Sequence, residues 1–170
     1  EIRAYAKKVF ALFNESYREL FGFIPLNDRQ VAYYTQQYFG FIRPEFVTAV
    51  VNAADEMVAF GITMPSLTRA IQKAGGKLFP FGFIHLMRAL KKNDRADLYL
   101  IAVKPEYQGK GVNAVLINHI NEVFIQNGIR KVESNPELED NHRVQGQWKH
   151  FDTRQHKRRR CYIKHLVEVQ

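Results

Sequence analysis

The chain lacks most of the features that would take it outside the ordinary globular class. It has one cysteine, Cys161, in 170 residues. A lone cysteine cannot close an internal disulfide, so a reducing, cytoplasmic setting is expected. No apolar run reaches the roughly 18 residues that a spanning helix needs, and no signal-peptide pattern is visible. His142, His150, His156 and His165 have no metal-ligand spacing with a cysteine partner, so no zinc site is expected. There is no internal repeat and no low-complexity tract. Carboxylates are outnumbered: 17 Asp and Glu face 25 Lys and Arg, a formal net charge of +8. That balance suits an anionic ligand or partner. Part of the excess lies in Lys157-Arg158-Arg159-Arg160, which reads first as a solvated charge run. The chain opens at Glu1 inside a helical pattern and is expected to be a fragment of a longer protein.

What is present is enough for a core. Hydrophobic residues make up 46% of the chain, and the length suits one domain spanning 1–170. Ile2 to Leu20 has helical periodicity through Tyr5, Val9, Phe10, Phe13 and Tyr17. Asp28 is a candidate N-cap for a second helix through Tyr38, ending before Gly40. Phe46–Asn52 and Met57–Thr63 are β-prone runs around a short turn, hence an antiparallel hairpin. A helical insertion follows at about 65–93. Its first helix opens at Ser66 as N-cap and ends at Gly75-Gly76, and its second runs from Phe83 to Lys92. Between them lies an apolar loop, Leu78 to Gly82, read chiefly as core packing and otherwise as a substrate-pocket wall. Then come a strand from Leu98 to Val103, a helix from Val112 to Gly128 and a strand from Arg130 to Asn135. Asp140 is a candidate cap for a helix from Asn141 to Phe151, and a last strand is expected over Arg160–Val169. The order implies an α/β fold whose mixed, mostly antiparallel central sheet carries helices on both faces.

The richest stretch is Leu98 to Leu116. A β-prone strand ends at Pro105, a glycine turn follows at Gln108-Gly109-Lys110-Gly111, and a helix starts near Val112. A helix start offers unpaired N–H groups and a partial positive charge. Gly109 and Gly111 admit an anion without a Cβ in the way, and Lys110 adds charge.

These residues, within this order of elements, resemble the GNAT superfamily of acyl-CoA N-acyltransferases. The superfamily pattern is Gln or Arg, two residues, Gly, one residue, then Gly or Ala; Gln108, Gly111 and Asn113 occupy those places. Three further stretches narrow the resemblance to the C-terminal half of an uncharacterised bacterial tandem-GNAT protein: Gly-Ile-Thr-Met-Pro-Ser-Leu, Gly-Gly-Lys-Leu-Phe-Pro-Phe-Gly and Glu-Ser-Asn-Pro-Glu-Leu-Glu-Asp-Asn. The resemblance implies acetyl-CoA or another acyl-CoA as co-substrate, direct transfer to the amine of a small molecule, and an N-terminal tandem domain as partner; no membrane partner is expected, since no spanning run is present. It implies that backbone groups of Ile101, Ala102 and Val103 pair with the pantetheine arm. Amides of Gln108, Gly109, Lys110, Gly111, Val112, Asn113 and Ala114 would cradle the pyrophosphate, and Asn141 is placed with the cofactor residues.

Two positions depart from the pattern. Asn113 stands where Gly or Ala is usual, and would either crowd a phosphate or donate to it. Trp148 stands where many members carry the tyrosine acid, and an indole is not a proton donor at useful pKa. Glu133 is the candidate base, with a solvent-facing strand residue as the equal alternative. Tyr162 is the candidate acid, beside His150 or water. Glu137 and Glu139 read as exposed loop charges or an acceptor site. His119 reads as a satisfied core histidine and Cys161 as a small buried apolar residue. The alternative to an enzyme is a degenerate GNAT-like module with a binding, structural or regulatory role toward its tandem domain. Nucleic-acid binding ranks last, resting on charge alone.

Overall fold

A computed structural model describes residues 2–38 and 42–164, with side chains from Tyr5 onward. The chain divides into two units at Glu133/Ser134.

In the first unit the elements run α1 (Ile2–Tyr17), α2 (Asp28–Tyr38), β1 (Val47–Val51), β2 (Met57–Pro65), α3 (Thr68–Lys73), α4 (Gly82–Lys91), β3 (Arg95–Val103), α5 (Val112–Gln126) and β4 (Lys131–Ser134). The sheet order is β1-β2-β3-β4. β1 with β2, and β2 with β3, are antiparallel. The carbonyl of Asp94 accepts from both Arg130 N (2.8 Å) and Lys131 N (3.1 Å). β3 and β4 therefore start side by side and run the same way, joined by the α5 crossover. The mixed sheet matches the expectation.

Period-two alternation sends two sets of side chains to opposite faces. On one face, Phe46, Ala59 and Ala96 pack with Leu116, Ile120 and Phe124 of α5. On the other, Phe60 and Ala102 pack with Val9 and Leu12 of α1. Gly61 permits the close approach of α5, since a Cβ there would lie 2.7 Å from the Ile120 Cδ1 atom.

Several local expectations change. α2 spans Asp28–Tyr38 as read, but its cap is Asn27. The Asn27 Oδ1 accepts from Gln30 N and the Gln30 Oε1 accepts from Asn27 N, both at 3.0 Å, a reciprocal capping box. The end of α2 toward Gly40 lies outside the described residues. α3 starts after Leu67 with no side-chain cap, so Ser66 is not its N-cap. The Leu78–Gly82 loop is not core: Leu78, Phe79 and Phe81 are exposed, and only Gly82 is buried. His119 is exposed on α5 and lies 3.8 Å from Glu122, because its position points outward from the face that carries Leu116 and Ile120.

The second unit contains α6 (His142–Gln147) and a single 3-10 turn (Trp148–His150), then extended chain without regular pairing to Lys164. Asn141, not Asp140, caps α6: its Oδ1 accepts from Val144 N at 3.4 Å. Residues 160–164 form no strand, and 165–169 lie outside the described residues. Cys161 is exposed there, with no sheet to bury it.

Candidate functional site

The site begins with a bulge. β2 and β3 stay in register from Ala59↔Val103 to Ile62↔Leu100, then resume at Thr63↔Leu98. Tyr99 is the extra residue. A one-residue insertion turns the following side chains to the other face and bends the strand. The packing records this: Ala96 and Leu98 lie with the α5 cluster, whereas Leu100 and Ala102 lie with the α1 cluster. Burial, then Asp97, then Tyr38 push the Tyr99 phenol above its usual pKa, so it is a neutral group at physiological pH.

The bulge also decides which backbone groups face β4. Lys104 N donates to Val58 O at 2.8 Å. Given the register, Ala102 and Leu100 then bond toward β2, and the N–H and C=O groups of Ile101 and Val103 point the other way. β3 and β4 are neighbours in the sheet and start together at Asp94, and the four residues of β4 can flank only the first part of the nine-residue β3. The C-terminal half of β3 thus presents a sheet edge, and such an edge accepts an extended ligand as an added strand.

Helix α1 reaches that edge. The Tyr17 hydroxyl donates to the Ile101 carbonyl at 2.8 Å, and the Ser16 hydroxyl donates to the Val103 carbonyl at 3.2 Å. Neither residue stands out in the sequence. Their positions at the end of an amphipathic helix give no sign of a backbone 84 or more residues away. Tyr17 is held by Phe13 and Phe23, with ring centroids 4.4 and 5.9 Å from its own.

The turn follows directly. Gln108 Nε2 donates to Val103 O at 3.0 Å, tying the loop to the strand end. Gly109 and Gly111 have φ of +73° and +81°, and no atom stands within 4 Å of where a Cβ would be. Gly111 is the N-cap of α5, in the left-handed region. The Gly111 carbonyl already accepts from Ala114 N and Val115 N, at 3.0 and 3.2 Å. The Val112 amide belongs to the first turn, which has no intrahelical acceptor to offer it. Asn113 is half-buried there. Lys110 Nζ lies 5.8 Å from the centre of the Tyr107 ring, within cation–π range. Tyr107 is itself fixed, its hydroxyl accepting from Asn52 Nδ2 at 3.1 Å. Lys104 is neutralised locally by Glu56 (2.7 Å) and Glu106 (2.9 Å). These carboxylates, Glu106 first, hold its pKa above the ordinary lysine range. Lys110 has no carboxylate partner among the described ion pairs, unlike Lys104.

Ile101, Val103, Gln108, Gly109, Lys110, Gly111 and Val112 are thus contiguous around one strand end. The family model described as acetyltransferase (GNAT) family matches residues 6–152. The chain belongs to the GNAT acetyltransferase family. It is 26% identical over 161 residues to protein YghO of Escherichia coli strain K12, covering 91% of this chain and 41% of that protein. The chain therefore spans about two fifths of that relative's length.

Solved structures agree at the level of fold. An AAC(6')-Iy structure in complex with the bisubstrate analog CoA-S-monomethyl-acetylneamine is similar at TM-score 0.55 and 13% identity, covering 96% of this chain and 93% of that one. An aminoglycoside acetyltransferase from an uncultured soil metagenomic sample, in complex with sisomicin, is similar at TM-score 0.55 and 14% identity, covering 95% and 89%.

The other expected residues of this GNAT chain are Glu133 and several positions in the second unit. Glu133 is half-buried on β4, two residues past the contact with Asp94. In the second unit, Asn141 is committed to its helix cap. Trp148 Nε1 donates to Glu137 Oε1 at 2.8 Å, which gives both residues a structural partner. Glu139 is exposed, 3.7 Å from Arg158. Tyr162 is exposed on unpaired extended chain. Among the described residues, no cluster of three or more His, Cys, Asp or Glu could hold a metal.

Proposed function

We propose that this chain is an acyl-CoA-dependent N-acyltransferase acting on the amine of a small molecule. The observation that carries the reading is the bulged end of β3: its Ile101 and Val103 edge runs straight into the open Gly109–Gly111 turn. The fit to coenzyme A is chemical. The edge offers alternating N–H and C=O groups suited to the amides of a pantetheine arm. The turn offers amides, a helix start and Lys110 suited to a pyrophosphate.

When bound, acyl-CoA supplies a thioester carbonyl activated for attack. The chain's own contributions are binding and proton handling. The Ile101 and Val103 backbone orients the acyl end against the strand. Tyr17 and Ser16 sit on the same carbonyls and must share them or yield them. Glu133 is the proposed base that removes the acceptor's ammonium proton, directly or through water. Tyr162 is the proposed acid for the leaving thiolate. The two aminoglycoside-related neighbours support a polyamine-like small acceptor as the first class to screen.

A second reading is a binding or regulatory module toward a tandem domain. The Trp148–Glu137 hydrogen bond favours it, because an indole engaged with a carboxylate takes no part in proton transfer. Calorimetric titration with acetyl-CoA separates the readings. Micromolar binding that Gly111→Glu abolishes, followed by acceptor-dependent release of thiol, supports transfer. Absence of binding in a folded sample refutes it, and binding without turnover on any amine leaves the module reading.

A further inference from the structure

The helical insertion has a surface that the acyl-transfer reading does not use. From Ser66 to Asn93 the sequence carries Arg69, Lys73, Lys77, Arg88, Lys91 and Lys92, and no Asp or Glu. In the fold this stretch is the α3–α4 hairpin, with Phe79 and Phe81 at the tip between the helices, 79% and 69% exposed. Phe83, Ile84 and Met87 of α4 are exposed beside them. The Phe79 and Phe83 rings lie 6.4 Å apart. Helical spacing puts Phe83, Met87 and Ile84 on one arc of α4, bordered by Lys91 and Arg88, while Gly82, Leu86 and Ala89 lie on the other side. The side packed toward the protein also carries Leu90, half-buried like Leu86 and Ala89, while the outward side mixes Phe83, Ile84 and Met87 with the cations Arg88 and Lys91.

We propose that this hairpin docks on the surface of an anionic lipid bilayer. Exposed phenylalanines at a tip insert among acyl chains, and flanking long cations keep their heads at the phosphate level. Arg69 lies 3.7 Å from Asp94, just beyond the stretch; a symmetric contact with a second copy is disfavoured, because it would set the other five cations against themselves. The expectation of no membrane rested on the lack of a spanning run. No described helix is long and apolar enough to cross a membrane, and docking at the surface needs none. The proposal is independent of the acyl-transfer reading.

The test is vesicle flotation of the full chain at low salt. Phosphatidylcholine vesicles are compared with the same vesicles containing about one third phosphatidylglycerol. Selective binding to the anionic vesicles is expected. It should fall at least tenfold in Phe79→Ser/Phe81→Ser, fall in Lys77→Glu/Lys91→Glu, and persist in Arg158→Glu/Arg159→Glu. Both tip positions are exposed, and unchanged circular dichroism and melting temperature show that the variant is folded. No binding to anionic vesicles overturns the proposal. Binding that survives the phenylalanine changes also overturns it, leaving only generic charge attraction. If vesicles fail and the same phenylalanine changes abolish self-association or capture by an acidic protein, the face is a protein interface and the lipid proposal falls.

Discussion

Three glycines provide an internally controlled test of the anion cradle. Gly109, Gly111 and Gly128 have φ of +73°, +81° and +71°, and a Cβ at any of them would meet no atom within 4 Å. Alanine therefore brings no clash at any of the three, only the penalty of the left-handed region, roughly 1–2 kcal/mol. For a chain of this size each kilocalorie lowers the melting temperature by about 2–4 °C, so each variant should melt about 2–8 °C lower. Stability should thus be blind to which glycine is changed. Cofactor affinity should not be. Gly128 ends α5, one residue past its C-cap Asn127, whereas Gly109 and Gly111 lie in the turn before that helix. An alanine that relaxes out of the left-handed region at Gly109 or Gly111 re-aims the amides of the turn. The dissociation constant for acetyl-CoA should rise at least tenfold, which is about 1.4 kcal/mol. Gly128→Ala should bind as the parent does. Calorimetric titration, paired with thermal melts of all three variants, reads both quantities. Equal affinity across the three would refute the cradle, as would a Gly128 variant that loses affinity as strongly as Gly111.

Four further outcomes follow from particular contacts. Tyr17→Phe removes a hydroxyl from the Ile101 carbonyl; a net hydrogen bond contributes about 0.5–1.5 kcal/mol. If Tyr17 competes with a pantetheine amide, acetyl-CoA affinity should improve by up to about tenfold, and weaker binding in titration would instead make the hydroxyl part of the site. Gly82→Ala should destabilise by about 1–3 kcal/mol or more, because the Cβ would stand 1.8 Å from the Lys77 carbonyl oxygen; an unchanged denaturation midpoint would contradict that packing. The Tyr99 phenol, its pKa raised first by burial, contributes stability that is complete below the unfolded value of about 10 and lost as pH climbs through the higher folded value. Difference absorbance titration of Tyr99→Phe should therefore lack a phenol that ionises late, and loss of an early one would sink the assignment. Glu133→Gln should lower kcat and remove the acidic limb of its pH profile with little change in acetyl-CoA affinity, whereas an unaltered profile would exclude Glu133 as the base.

Much of the fold was legible because its signals are local. The span of α2 as far as Tyr38, the β1–β2 hairpin, the α5 crossover and β4 are legible to within a residue or two. Each depends on periodicity and on glycine or proline stops within a few positions. The glycine turn was legible for the same reason, since the demand for positive φ is met within the loop. Caps were misread by one residue at α2 and at α6, where Asn27 and Asn141 did the work expected of Asp28 and Asp140. Both are neighbours with equivalent side-chain acceptors, and the choice between them depends on where the first helical hydrogen bond closes. The Phe79–Phe81 loop was misread for a different reason. Hydrophobicity predicts burial only when a neighbour is available to cover the ring, and the hairpin tip has none.

What no local signal could announce is the Tyr99 bulge. From Leu98 to Val103 the sequence is one continuous apolar run, so no polar position marks a change of face. The structure nonetheless sends Ala96 and Leu98 to α5 and Leu100 and Ala102 to α1. An unbroken apolar run thus conceals a reversal, because both faces of β3 are covered and apolar residues suit either. The reversal sets which backbone groups of β3 turn away from β2. Without the extra residue, the ladder phase that turns Ala96 and Leu98 toward β4 would continue through Leu100 and Ala102, and the backbone of Ile101 and Val103 would bond to β2. The edge offered to a ligand would then begin one residue out of step with the Gly109–Gly111 turn, and Tyr17 and Ser16 would meet different carbonyls. The position of one unpaired residue therefore couples the sheet edge to the glycine turn.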